Sequence, residues 1–200
     1  MNVVRAARED LCLDFVNTLA WRGSERPTES LGSFEDLLKW CAGAGGSFNG
    51  GVSAARAMAE RRPAAAIGLL RDAIGLREAI SRIFYAVAEG VVPDAADMSA
   101  LNRELRRAPL RTVVDRAGGT FGWRLGLITP GLPTLLAPIL WSAGDLLTGR
   151  RLARVRQCSN ADCRWLFIDE SKAGTRRWCS MTACGNRAKA HRHYVRHKQL

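Results

Sequence analysis

Cys158-Ser159-Asn160-Ala161-Asp162-Cys163 and, after fifteen intervening residues, Cys179-Ser180-Met181-Thr182-Ala183-Cys184 form two C-x4-C pairs. Zinc is held by four soft ligands that converge tetrahedrally, and two such pairs on separate short turns supply them. The spacer holds Trp165-Leu166-Phe167-Ile168, a turn from Asp169 to Gly174, and then Arg176-Arg177-Trp178. This predicts a hairpin carrying the second pair at its far end. Gly185 to Lys198 is free of proline and predicts a helix. Knuckle, hairpin and helix together predict a treble-clef-like zinc finger, in which a helix N-terminus beside Cys179 and Cys184 favours their thiolates. The plainer alternatives are two disulfides or four unrelated thiols, and equal paired spacings favour metal. Four thiolates close the coordination shell, so the expected cofactor is one structural Zn2+. About 50 residues this polar make little core, and zinc binding at roughly 10–16 kcal/mol can supply the missing folding energy.

Charge divides the chain at the same place. The 200 residues carry 30 Lys+Arg against 19 Asp+Glu, a net +11. Residues 1–149 hold 17 basic and 16 acidic side chains, whereas 150–200 hold 13 and 3, a net +10. An evenly basic globule is thereby excluded, and a polyanionic partner for the C-terminal module is implied, nucleic acid first. On a helix from Cys184, the line Cys184, Ala188, His191 and Val195 would face the knuckle. The opposite side collects Lys189, Arg192, His193 and Arg196, with Arg187 near the first turn and Arg176 and Arg177 on the hairpin. These basic residues are the candidates for DNA contact, phosphate contacts setting affinity and base contacts setting sequence choice. The alternatives are a solvated basic face, or an adaptor surface for RNA or an acidic protein. The spacing of His191, His193 and His197 scatters them around a helix, which argues against a second metal site. Trp165 and Trp178 are expected to form the finger's small core.

The first 149 residues read as a mostly helical domain with one small antiparallel sheet, so the whole is α+β. Helical spacing runs from Asp10 to Leu19. A second helix fits Ser33 to Cys41, with Ser33 as cap and Asp36 three residues on. Five glycines between Ala42 and Ser53 predict a flexible loop. Ala64 to Glu89 is the longest periodic segment, preceded by Pro63 and followed by Gly90. Asp94 to Arg107 predicts another helix. Arg111–Asp115 and Thr120–Ile128 alternate around Ala117-Gly118-Gly119 and predict a hairpin. A helical pattern resumes from Pro133 to Leu147. The expected boundary lies at Thr148 to Arg151, giving domains 1–149 and 150–200.

In the body, Asp14, Asn17, Thr18 and Arg22 stand opposite the apolar stripe of the first helix, and Arg77 falls at the edge of the apolar face of the longest. An arginine there demands a carboxylate or an anionic ligand. Two readings stay open: an internal salt bridge, with Asp14 as the natural partner, or a small-molecule pocket built from Asp14, Asn17, Thr18 and Arg77. Cys12 and Cys41 sit among apolar neighbours and are expected to be buried. The body has no histidine, which removes Ser-His-Asp and Cys-His chemistry there, and the chain has neither a deaminase signature nor a phosphate loop. The expectation is a protein that is not an enzyme. Charged residues interrupt Met1 to Leu13 and no apolar run approaches membrane-spanning length, so a cytoplasmic protein without membrane contact is expected.

Cys184-Gly185-Asn186-Arg187, after Trp178-Cys179-Ser180 and before Lys189, resembles the bacterial CGNR zinc-finger family. Leu13-Asp14-Phe15-Val16-Asn17-Thr18 followed by Arg22 resembles the opening motif of the ABATE domain that precedes this finger. Together the resemblances span essentially the whole chain. They imply a stress-induced transcription regulator whose N-terminal domain senses a ligand. One finger has a small footprint, so two copies are expected on a specific DNA site.

Overall fold

Pro63 and Gly90 bracket the element around which the rest assembles. A computed structural model describes residues 3–4, 7–44, 49–117, 119–125 and 131–198. The first half runs β1 (Val3–Val4), α1 (Leu11–Val16), β2 (Leu19–Ala20), β3 (Thr28–Glu29), α2 (Phe34–Gly43), α3 (Asn49–Arg61) and α4 (Pro63–Glu89). It continues with α5 (Ala95–Arg107), β4 (Arg111–Ala117), β5 (Thr120–Leu125), α6 (Leu132–Leu135) and α7 (Ala137–Thr148). A short 3-10 turn at Arg150–Arg154 then leads to β6 (Val155–Gln157), β7 (Leu166–Ile168), a wide turn at Met181–Gly185 and α8 (Asn186–Lys198).

Pro63 occupies the first turn of α4, where its missing N–H costs nothing, and Gly90 closes the helix at φ 72°. Its 27 residues extend about 40 Å and bury Ala73, Leu76, Ile80, Ile83 and Phe84. Leu11, Phe15, Leu37 and Leu101 of α1, α2 and α5 join this face in one cluster, to which α7 adds Leu140. The body holds two antiparallel sheets rather than the one expected: β1-β5-β4, in which β1 adds a strand to the expected hairpin, and the two-stranded β2-β3.

Several boundaries differ from the sequence reading for local reasons. The first helix stops at Val16, because the Thr18 hydroxyl donates to the Phe15 carbonyl at 2.7 Å and the chain turns into β2. Ser33 caps α2 as expected, accepting from the Asp36 amide at 3.1 Å. The expected loop from Ala42 to Ser53 is shorter: 45–48 lie outside the described residues, and Asn49 begins α3. Gly51 lies in that helix, where a Cβ would come 3.0 Å from the Thr134 carbonyl oxygen. The expected helix from Pro133 is interrupted at Leu136, just ahead of Pro138, which has no N–H to carry the ladder across. The strand expected to reach Ile128 is described only to Leu125.

The finger's hairpin is a correction. β7 pairs with β6, in register Val155↔Ile168 and Gln157↔Leu166, rather than with Arg176–Trp178. The buried Asp169 carboxylate accepts from the amides of Ser171 and Arg176, and this turns the chain away from β7. Val155, Leu166 and Ile168 are buried in the same cluster as Leu11, Phe15 and Ile80. The apolar core is thus continuous across the change in composition near residue 150.

Candidate metal centre and its basic surface

The first knuckle hangs between β6 and β7. It places Cys158 and Cys163 in nearly full burial, with Arg164 in the left-handed region at φ 55° just beyond. The second pair spans the wide turn, where Ser180 Oγ accepts from the Ala183 amide at 3.3 Å. The four sulfurs all lie within 4.8 Å of one another, with Cys163–Cys179 at 3.7 Å and Cys179–Cys184 at 3.8 Å. A tetrahedron with zinc–sulfur bonds of about 2.3 Å has edges near 3.8 Å, so the donor set fits zinc and is too open for disulfides. None of the six cysteines is in a disulfide. Hydrogen bonding from Cys179 holds the Cys158 thiol down to about 5, while burial pushes Cys163 up to about 12. Four thiolates this close require a cation between them. The quartet is a site for one structural zinc, and Asn160 Nδ2 donates toward the Cys184 sulfur at 3.7 Å.

Each residue after Cys184 has its own contact. Gly185 is buried, and a Cβ there would strike the Met181 sulfur at 2.8 Å. Asn186 Nδ2 donates to the Thr182 carbonyl at 3.3 Å and ties the wide turn to α8. The Arg187 guanidinium lies 4.4 Å from the centre of the Trp21 ring. Trp21 belongs to the body, yet it packs against the cysteine cluster beside Phe167 and Trp178. Trp178 therefore serves the finger's small core as expected, while Trp165 is 37% exposed and stands outside it.

The expected DNA-contact residues separate into three groups. Arg176 is committed inward: Nε donates to the Trp178 carbonyl at 2.8 Å, Nη2 donates to the Cys179 carbonyl, and the guanidinium lies over Phe167. It braces the second cysteine pair and is not free for a phosphate. Arg177, Arg187 and Lys189 are exposed, and the two arginines lie over Trp178 and Trp21. Arg192 and Arg196 fall on α8, but their side chains, like those of His191, His193 and His197, lie outside the described residues. Val195, expected to face inward, is 38% exposed. Among the described residues of the finger, Arg151 alone stands within ion-pair distance of carboxylates, those of Glu9 and Glu170.

The four residues expected around a body pocket have other occupations. Arg77 is 1% exposed; it donates to Glu29 through Nη1 and Nη2 at 2.7 Å each, to Glu78 through Nε at 2.9 Å and to the Thr18 hydroxyl at 3.1 Å. Its carboxylate partners are thus Glu29 and Glu78, not Asp14, which pairs with Arg8 at the surface. Burial raises the Asp14 carboxyl against the pull of Arg8. Burial works on Glu29 in the same direction, but the Arg77 guanidinium outweighs it and holds that carboxyl below its ordinary range. Asn17 is a clamp: its amide donates to the Leu166 carbonyl at 2.8 Å and accepts from the Leu166 N–H at 3.1 Å. Arg22 grips Glu78 at 2.6 Å and 3.0 Å and the Val16 carbonyl at 3.1 Å. The motif from Leu13 to Arg22 therefore seats the finger on the body. Asp14 and Asn17 do border a cleft of about 240 Å³, closed on its other side by Trp165, Phe167 and Arg176. Thr18 and Arg77 are not part of it.

Sequence reasoning missed Trp21 and Gly23. The Gly23 amide donates to the Asp162 carbonyl at 3.0 Å, and a Cβ there would lie 1.8 Å from the Ala161 carbonyl oxygen. Glycine in Trp21-Arg22-Gly23 was the available signal, since close backbone approach is one of the few reasons to place it there. Tyr85 adds a hydrogen bond to the Arg164 carbonyl at 2.7 Å. Cys12 and Cys41 are fully buried as expected, with their thiols pushed up to about 12 by burial.

A helical body locked onto a four-cysteine zinc module through a tryptophan-glycine loop and an asparagine clamp defines a two-part zinc-finger protein. Residues 9–150 match the ABATE family, described as "Putative stress-induced transcription regulator", and residues 154–197 match the CGNR zinc finger. The chain belongs to the ABATE family, with a CGNR finger following the family's domain. No curated protein matches the chain. Among the described residues no helix is long and apolar enough to cross a membrane.

Proposed function

We propose that the chain is a non-catalytic transcription regulator that binds duplex DNA through its finger, while the body senses a small ligand. The observation that carries the DNA reading is the unneutralised charge of the finger. Its 13 basic side chains face 3 acidic ones. One of those three, Asp169, is buried and spent on backbone amides. Stacking over an aromatic ring orients a guanidinium without cancelling its charge, so Arg177 and Arg187 are presented rather than consumed. Both border a groove of about 650 Å³ that runs from the knuckle, at Ser159 and Asn160, to Ala188 on α8. A basic helix with such neighbours is suited to a major groove. Family membership supports the regulator reading.

The test uses the zinc-loaded full chain, because the finger's hairpin shares the body's core. Fluorescence anisotropy on a mixed-sequence duplex should give affinity that falls linearly with log salt, by about 0.9 per phosphate neutralised. Arg177→Ala and Lys189→Ala should each weaken binding to every sequence and reduce that slope by about one. Absence of duplex binding at low salt would remove the reading. Tighter binding to RNA or to an acidic protein would move the finger to the adaptor class.

A further inference from the structure

Arg177 and Arg187 line the same groove, but the rings they lie over come from different parts of the chain. Arg177 lies 5.6 Å from the centre of the Trp178 ring, its neighbour in the finger. Arg187 lies 4.4 Å from the centre of the Trp21 ring, which belongs to the body. Trp21 packs against the cysteine cluster and does not line the groove, so it reaches a groove-bound ligand through Arg187. Asp162 also lines the groove, yet among the described residues no ion pair joins it to either arginine.

The backbone at Trp21 shows how firmly that ring is held. Trp21 adopts φ 56°, in the left-handed region, where a bulky side chain is disfavoured and persists only when its surroundings fix it. Ser24 supplies two of the fixing bonds, its N–H and its hydroxyl donating to the Trp21 carbonyl at 3.0 and 2.9 Å. On the finger side the Gly23 N–H donates to the Asp162 carbonyl at 3.0 Å. On the body side Arg22 grips Glu78 of α4 at 2.6 and 3.0 Å. A glycine would relieve this backbone and an asparagine would tolerate it, so the turn alone does not select an indole.

We propose that Trp21 is a positioning residue for DNA binding: the body's indole holds the Arg187 guanidinium in place for a backbone phosphate of duplex DNA in the groove. The inference rests on the DNA reading of the finger and adds a residue of the body to its site. An arginine without a carboxylate partner samples many rotamers, and docking it on a phosphate costs the freedom it loses. A guanidinium already laid over a ring has lost much of that freedom before the phosphate arrives, and it keeps its full charge. The platform therefore raises affinity without adding a phosphate contact. It also makes the phosphate site sensitive to the body, because α4 holds the loop through Glu78 and Arg22.

A double-mutant cycle on the zinc-loaded full chain, read by anisotropy on a mixed-sequence duplex, separates platform from contact. Arg187→Met should weaken binding about tenfold at low salt and lower the salt slope by about one. Trp21→Asn, which suits the left-handed backbone, should weaken binding about threefold to tenfold and leave the slope unchanged, since the charge stays. In the Arg187→Met background Trp21→Asn should change affinity by less than about twofold. Trp21→Phe, which keeps a ring face, should bind within about twofold of the parent. Zinc content is measured for each variant, and Trp21→Leu, apolar toward the cysteine cluster, takes the place of Trp21→Asn if that variant releases metal. Parent-like affinity in the ringless variant overturns the positioning role. So does a loss that persists undiminished in the Arg187→Met background, the mark of a ring that only supports the finger's fold. Absence of duplex binding by the parent removes the DNA reading and the role together, whereas binding indifferent to Trp21 removes the role alone.

Discussion

Arg77 in the body and Arg176 in the finger are both surrounded by protein, but by different partners. Arg77 sits among Glu29, Glu78 and Thr18, and around it Arg22 holds Glu78, Arg82 holds Asp97 and Arg111 holds Asp145. Ten of the body's described arginines stand within ion-pair distance of a carboxylate. Arg176 instead reaches main-chain carbonyls and the Phe167 ring, and Arg164, Arg177 and Arg187 lie over Tyr85, Trp178 and Trp21. The first arrangement neutralises charge and ties helices together. The second orients charge and leaves it whole, as the proposed contact with phosphates requires.

The largest test of this division is removal of the metal. Chelation should release one zinc per chain, measured colorimetrically, and withdraw roughly 10–16 kcal/mol of binding energy from the finger. Because Val155, Leu166 and Ile168 belong to the body's core, the body's own thermal transition should fall as well. A body transition that stays put would show that the two regions are held apart more than the packing indicates.

Next in size is a matched pair of substitutions. Arg77→Met leaves Glu29 without a cation and Glu78 with Arg22 alone, and about 3 kcal/mol of unfolding free energy should be lost in urea titrations. Arg177→Met in the finger should leave stability within about 0.5 kcal/mol of the parent, because its charge has no carboxylate to lose. Equal losses in the two variants would dissolve the contrast.

The seam between the regions gives the third test. Gly23→Ala drives a methyl into the Ala161 carbonyl, and overpacking of this kind costs about 1–3 kcal/mol. Amide exchange should accelerate at Gly23, whose N–H is held by Asp162, and at Leu166, whose N–H is held by Asn17. The zinc content should be unchanged.

How far the sequence carried these conclusions depends on the range of the interactions. The cysteine quartet, the long helix between Pro63 and Gly90 and the Ser33 cap were legible, because spacing and end signals are local. β6 as the partner of β7 was not, since the turn that redirects the chain is built by one carboxylate, Asp169, whose role appears only once it is buried. Asn17 illustrates the same limit. Its place opposite an apolar stripe suggested a ligand, but the groups it meets are those of Leu166, 149 residues away. Arg77 was correctly placed at a buried edge, while Glu29 was missed as its partner because nothing local links residues 29 and 77.

Acid offers the smallest effect and a direct reading of the body's arrangement. Burial alone would raise the Glu29 and Glu78 carboxyls, but Arg77 and Arg22 outweigh it and hold both below their ordinary range. A carboxyl depressed in the folded state adds stability that is fully present above its unfolded value, near 4.3, and is lost as pH falls through the folded value. Unfolding free energy should therefore be flat with respect to these groups from neutrality down to about pH 5 and decline below it. Glu29→Gln should start lower at neutral pH and decline less over the acid range, so that the two curves converge. Loss of zinc in acid affects both proteins alike and cancels in their difference. Both carboxylates are partly open to solvent, which screens them and keeps the difference small. Curves that stay parallel through the acid range would mean that Glu29 titrates as a free surface carboxyl. Arg77 would then be neutralised by Glu78 alone.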